Sequence, residues 1–190
     1  MRRPGLYSIK RILARARRFR GASEAVAAVE FALILPFMLM LYMGSVELSQ
    51  AVTVDRKLAV VAGSLGDLVA RVKEELPADT LTDYFEAAQA IMRPYNATTL
   101  QQAVTCVYVD ADGAATVVWS YGFNGATAHT VDASYSLPSE MTDIALDGYV
   151  IVAEAQYTYQ PLMGYFFEDP FNLYKEFFYL PRYGELIDVI

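Results

Sequence analysis

From Ala25 to Val46 the chain carries a single charged side chain, Glu30, and the uncharged core Phe31–Val46 runs for 16 residues. A helix needs roughly 20 residues to cross the hydrocarbon of a bilayer, so the core alone falls short and Ala25–Val29 complete it, which puts Glu30 near one end of the span. Pro36 interrupts the hydrogen-bond ladder of that helix and predicts a mild bend, which membrane helices tolerate better than soluble ones. The helix predicts its own continuation. Leu48 to Leu76 contains no proline, and Leu58, Val61, Leu65, Leu68 and Val72 recur at spacings of three and four. Gly63 and Gly66 weaken this stretch, and Pro77 marks its expected end.

Beyond Pro77 the pattern predicts a short helix over Thr80–Arg93, capped by Asp79 or Thr80 and closed by Pro94. The period then changes to that of strands. Ala103–Asp110 and Ala115–Tyr121 are rich in β-branched and aromatic residues and are joined across Asp112-Gly113, a hairpin turn pair. Gly122 to Pro138 reads as loop, Tyr149–Tyr159 as a long strand and Glu176–Leu180 as another. The expected class is α+β: a long N-terminal transmembrane helix running into a small domain with an antiparallel sheet. The expected division is a basic arm at 1–25, a span at 26–46 and a domain at 47–190.

Charge fixes the direction of that span. Residues 1–21 carry eight positive charges and no negative one, whereas residues 48–190 carry seven basic and 19 acidic side chains. Positive flanks stay on the cytoplasmic side, so the arm is expected inside and the acidic body outside. Such a body repels nucleic acid. Three alternatives compete with a span. A cleaved secretory signal finds only a weak site at Ser49-Gln50-Ala51, a lipoprotein signal lacks its cysteine, and a soluble core helix would not carry so basic a flank.

Candidate chemistry is sparse. The chain has one cysteine, Cys106, and one histidine, His129, which excludes disulfide frameworks and His-pair metal motifs. No cofactor, metal or small-molecule substrate is expected. A Cys106–His129 dyad would need an activating environment that nothing in the pattern supplies. Asp110-Ala111-Asp112-Gly113 lacks the Glu at position 12 of a calcium loop, because Tyr121 stands there. Asn96-Ala97-Thr98 is a sequon by pattern only. A tethered enzyme would require Asp110, Asp112, Glu154 and Asp169 to converge. Asp55-Arg56-Lys57 reads either as a solvated face or as a contact with subunits or headgroups. Eleven aromatics between Tyr157 and Tyr183 suit a core against the helix, with an exposed subset as a partner surface.

Glu30 needs a reason, since a carboxylate at the edge of an apolar helix either snorkels or has a partner. The run Ala28-Val29-Glu30-Phe31-Ala32-Leu33-Ile34-Leu35-Pro36, followed by Gly44-Ser45-Val46-Glu47, resembles the N-terminus of TadE/TadG-like proteins. These are pilin-like components of the tight-adherence (Tad, Flp) pilus assembly system of bacteria. Ser49 through Lys57, Tyr157–Pro161 and Tyr179–Arg182 extend the resemblance, and residues 95–145 carry no part of it. The resemblance implies a non-enzymatic pseudopilin of the inner membrane with a periplasmic domain, supporting pilus biogenesis and adhesion. Its implied partners are other pilin-like and Tad assembly proteins and a prepilin peptidase. Pilin-like chains are cut five positions before a glutamate that an aromatic follows, which makes Val26 the first mature residue and Ala25 the residue before the cut. The family usually has Gly there. A cut after Gly21 makes Ala22 the first residue and Glu30 the ninth, and an uncut signal anchor is the remaining alternative. The helix-assembly residues implied are Glu30, Phe31 and Pro36. A carboxylate one turn from a new α-amino group can neutralise its own or a neighbour's terminus where the dielectric is low. The rival reading is a single-pass anchored periplasmic binding domain of an unrelated envelope complex.

Overall fold

The computed structural model describes residues 23–161, 164 and 169–190, and side chains from Val26 onward. Its chain divides into two compact units, Met1–Glu47 and Leu48–Ile190. The basic arm, with the alternative processing residues Gly21 and Ala22, lies outside the described residues. So do Tyr165, Phe166 and Phe167 of the aromatic tail.

Helix α1 spans Ser23–Ala70, and Pro36 lies inside it without ending it. In the first unit every side chain from Val26 to Tyr42 is exposed, including Phe31, Phe37 and Leu41 at 63%, 70% and 63%. The helix is long and apolar enough to cross a membrane.

In the second unit the remainder of α1 buries Val54, Leu58, Val61, Leu65 and Val69, the three-four spacing expected, except that Val69 takes the place read for Leu68 and Val72. The helix also stops earlier than Pro77. The Arg182 amide donates to the Ala70 carbonyl at 2.8 Å, so a distant segment takes up a last-turn acceptor that another helical turn would have used. Glu75–Leu76 is instead a strand, β1, paired in parallel with β6 (Asp188–Val189). Helix α2 spans Ala78–Ala90, with Pro77 rather than Asp79 or Thr80 at the cap position. Its Leu81, Phe85 and Ala88 are buried on one face.

The main sheet contains β2 (Leu100–Val109), β3 (Ala115–Phe123), β4 (Gly148–Tyr159) and β5 (Phe171–Tyr179). Their order is β3-β2-β4-β5, antiparallel throughout. Each strand is longer than its sequence-predicted stretch, β5 most of all, although β2 and β5 end one residue before the expected Asp110 and Leu180. A short helix, α3 (Ser139–Ile144), which the loop-like pattern did not predict, precedes β4.

Side-chain alternation gives the sheet two buried faces. Val104, Cys106, Trp119, Ile151 and Ala155 join Leu58, Leu65 and Phe85 in the larger core beneath α1 and α2. Val107, Val109, Val150 and Val152 form a smaller core with Tyr135, Leu137, Met141 and Ala145 on the outer face. The connection 124–138 covers that face and pairs with the edge of β3 through an isolated bridge, Thr116 to Ser134. The Trp119 indole N–H donates to the Ile187 carbonyl at 2.7 Å and so ties the C-terminal segment to the larger core.

Helix and sheet lie side by side along their length. Asp55 meets Lys175 at 2.8 Å, and two or three turns further on Gly63 and Gly66 face Tyr179. Lys57 Nζ donates to the Ile91 and Arg93 carbonyls at 3.0 and 2.8 Å, placing a cation against the C-terminal end of α2. The triplet Asp55-Arg56-Lys57 is therefore not simply a solvated face. Asp55 and Lys57 fasten the domain together, and Arg56 alone is exposed. Of the aromatic tail, Tyr157 and Tyr159 are buried, Phe171, Phe177 and Tyr179 pack against the core, and Tyr174 is half exposed.

Candidate functional site

Two regions gather the residues that sequence reasoning singled out. The first is the N-terminal part of α1. Ala25, Val26, Glu30, Phe31 and Pro36 all lie on this one helix, and Val26, Glu30, Phe31 and Pro36 are exposed. Val26 and Glu30 are four residues apart, about 6 Å along the axis, and so stand one above the other on the same face. That separation lets a carboxylate at Glu30 reach an amino group at residue 26. The geometry supplies a continuous apolar cylinder with one acidic side chain near its beginning.

The second is the outer face of the sheet. Glu154 on β4 and Glu176 on β5 are directly opposite each other, an arrangement in which like charges repel unless other groups intervene. Here they do. Tyr174 Oη donates to Glu154 Oε1 at 2.6 Å, Tyr135 Oη donates to Glu176 Oε1 at 2.7 Å, and His129 Nε2 faces Glu154 Oε2 at 2.9 Å. The His129 ring stands edge-on to Tyr135, centroids 5.0 Å apart. Burial, reinforced by the glutamate each hydroxyl donates to, pushes the Tyr135 and Tyr174 hydroxyls well up, so both stay protonated and remain donors. The His129 amide donates to Ser120 Oγ at 2.9 Å, and Ser120 in turn meets Thr105 at 2.8 Å. This network clasps the 124–138 connection onto the sheet. A cavity of about 200 Å³ lies beside it, floored by Ala103 and Gln156 and walled by Ala126 and Thr127.

Sequence reasoning named His129 and Glu154, counted Tyr174 only among the tail's aromatics, and missed Tyr135 and Glu176. The only signal for Glu176 was a charge breaking an aromatic run, and register alone shows that it meets Glu154.

Cys106 is not part of this network. It faces the larger core, fully buried, whereas Thr105, Ser120 and Glu154 face outward. Burial, with a smaller contribution from Asp188, pushes its thiol up to about 12, the state of an inert structural cysteine. The carboxylates named for a tethered enzyme do not converge. Asp110 sits beyond Val109, which pairs with Gly148, six positions along β4 from Glu154, about 20 Å away at strand rise. Asp110 Oδ1 accepts from the Asp112 and Ala114 amides at 3.0 and 2.8 Å, so it builds the hairpin turn. Asp169 is exposed in the connection before β5. Among the described residues no three or more His, Cys, Asp and Glu side chains gather as a metal site would require.

Fold and site define a class: a long exposed apolar helix leading into a small α+β domain whose polar side chains hold the domain together. The particular affiliation comes from the helix. Residues 25–63 match the family model for TadE-like protein, which bears out the resemblance over that stretch. No curated protein and no solved structure matches the chain.

Proposed function

We propose that the chain is a minor pseudopilin of a Tad pilus, anchored in the inner membrane by residues 26–46 and presenting residues 47–190 to the periplasm, where it supports pilus biogenesis and adhesion. One observation carries this reading: the TadE-like match, residues 25–63, coincides with the exposed apolar part of α1 and its first turns beyond. An apolar helix exposed over its whole circumference suits lipid first and the helices of neighbouring subunits afterwards. The basic arm serves as topology signal and as leader. A prepilin peptidase cuts it between Ala25 and Val26, or between Gly21 and Ala22. Glu30 then aligns subunits by pairing with an α-amino terminus, its own or a neighbour's. Other pilin-like and Tad assembly proteins are the partners, and the chain performs no catalysis.

The test is the intact mass of the protein recovered from membranes with and without the prepilin peptidase. Loss of residues 1–25, or 1–21, only when the peptidase is present establishes a processed pseudopilin. A chain that stays uncut in both backgrounds overturns processing. Glu30→Ala should insert normally yet abolish piliation, and normal piliation in that variant removes the role given to Glu30.

A further inference from the structure

A second cavity, of about 630 Å³, opens beside the end of α2, and its volume is that of a small-ligand site. Its lining comes from α2 and from the turns that lead into β2 and out of β3, with no strand residue in it. It therefore presents no strand edge on which an extended peptide pairs. Its two charged side chains, Glu86 and Arg93, are of opposite sign, so the cavity as a whole favours neither anions nor cations.

Three carboxamides in the lining are pinned by the backbone. Gln89 Nε2 donates to the Ala97 carbonyl at 3.2 Å, Asn124 Nδ2 donates to the Thr98 and Leu100 carbonyls at 3.1 and 2.7 Å, and Asn96 Oδ1 accepts from the Thr98 amide at 3.0 Å. Each bond uses one half of a planar amide and fixes its plane. The other half is left with a defined polarity: Gln89 Oε1 and Asn124 Oδ1 accept, and Asn96 Nδ2 donates twice. Glu86 and Arg93, both exposed and in no ion pair among the described residues, add an acceptor and a planar fork of donors. Tyr95, half-buried against the core, adds an aromatic surface with a hydroxyl at its tip. The ligand that answers this set has no net charge, an apolar side, and many groups that donate and accept at once. A phosphate only accepts and meets Glu86, Gln89 and Asn124 as opposing acceptors. An ammonium group only donates and meets Arg93 and Asn96 as opposing donors. A hydroxyl does both, one donor with two lone pairs, and so replaces water on either kind of group.

We propose that this cavity binds an uncharged oligosaccharide. Glu86, Gln89 and Asn124 accept from its hydroxyls, Arg93 and Asn96 donate to its hydroxyl or acetamido oxygens, and Tyr95 meets the C–H side of a sugar ring. The pinned amides hold their half of the pattern before the ligand arrives, which reduces the ordering cost of binding. The site requires neither leader cleavage nor Glu30, so it stands or falls separately from the pseudopilin reading.

The test is calorimetric titration of the full chain, solubilised in a detergent without a sugar headgroup, with chitotriose, with cellotriose and with a sulfated oligosaccharide. Chitotriose or cellotriose should bind saturably and equally well at low and high salt, because the ligand carries no charge to screen. A preference for chitotriose assigns the site to N-acetylated amino sugars and a preference for cellotriose to plain hexoses; either supports the proposal. Glu86→Ala and Arg93→Ala should each weaken binding about tenfold, the effect of losing a hydrogen bond to a charged group. Neither side chain has a bond within the chain to lose, so both variants should melt with the parent. Glu86→Gln, which still accepts from a hydroxyl, should keep most of the affinity, and Asp143→Ala, outside the cavity, should keep all of it. No saturable binding of either neutral sugar, tighter binding of the sulfated one, affinity that falls as salt rises, or full affinity in Glu86→Ala and Arg93→Ala would each overturn the proposal.

Discussion

Gly66 lies inside a helix, where glycine costs about 1 kcal/mol relative to alanine, so its presence calls for a steric cause. An ideal Cβ at Gly66 would lie 2.5 Å from both Cδ2 and Cε2 of Tyr179 and 3.1 Å from Ala153 Cβ. Carbon atoms rest at about 3.5–4.0 Å, so Gly66→Ala must drive the Tyr179 ring back by about 1 Å. Overpacking of this kind costs typically about 1–3 kcal/mol. Set against the gain of about 1 kcal/mol in helix propensity, the net loss is up to about 2 kcal/mol, which for a chain of this size lowers Tm by up to roughly 8 °C. Gly63 supplies the control. A Cβ there meets only Tyr179 Oη, at 3.4 Å, an ordinary contact, so Gly63→Ala should keep its propensity gain and raise Tm by up to about 4 °C. The assay is thermal unfolding of the detergent-solubilised full chain, followed by the fluorescence of Trp119. A Gly66→Ala protein stabilised as much as Gly63→Ala, or a Gly63→Ala protein destabilised as much as Gly66→Ala, would refute the argument that the Tyr179 ring dictates glycine at 66.

Lys57→Met removes both bonds to the end of α2 and should lower the urea midpoint by an amount equivalent to about 1–2 kcal/mol; an unchanged midpoint would show that Lys57 is only solvated. The Cys106 thiol, raised from 9.0 to about 12 in the folded chain, keeps its proton longer folded than unfolded. Its contribution to stability is therefore whole below pH 9 and falls as pH rises from about 9 towards 12. Maleimide should accordingly leave the folded chain unlabelled at pH 8 and label it fully in denaturant, and rapid labelling of the folded chain would contradict the burial. Trp119→Phe deletes the bond to the Ile187 carbonyl, so amide exchange at Asp188 and Ile190 should speed up at least tenfold while exchange in β2 and β4 changes little.

What could be read ahead of the structure followed the range of the interactions. The apolar helix, the hairpin at Asp112-Gly113 and the central strands announce themselves through local period and turn chemistry, and each is present. The places where the reading failed are decided by partners distant in sequence. Leu48–Leu76 carries a helical period to its end, yet the last six residues leave the helix, because Arg182 takes the Ala70 carbonyl and β6 captures Glu75 and Leu76. Phe171–Leu173 reads as nothing in particular until β4 supplies a ladder for it. Pro77 looked like a terminator and stands instead at the cap position of α2, where its fixed φ suits a helix start. The candidate site divides in the same way. Glu30 and its neighbours are conspicuous as a motif on one helix. The Glu154–Glu176 pair exists only through strand register, and its tyrosine donors arrive from β5 and from a loop without periodicity.

The side-by-side course of α1 and β5 has a mechanical consequence. Asp55 faces Lys175 and Gly66 faces Tyr179, so eleven helical residues and four strand residues cover nearly the same length, about 16 and 13 Å at their respective rises. Helix and strand thus advance in one direction, like two ropes spliced along a common stretch. A pull applied at Leu48 along the helix axis loads the ion pair, the Lys57 bonds and the glycine–tyrosine contact together, in shear, and peels none of them first. Withdrawing the helix requires all of them to yield at once, which makes the joint stiffest along the helix axis.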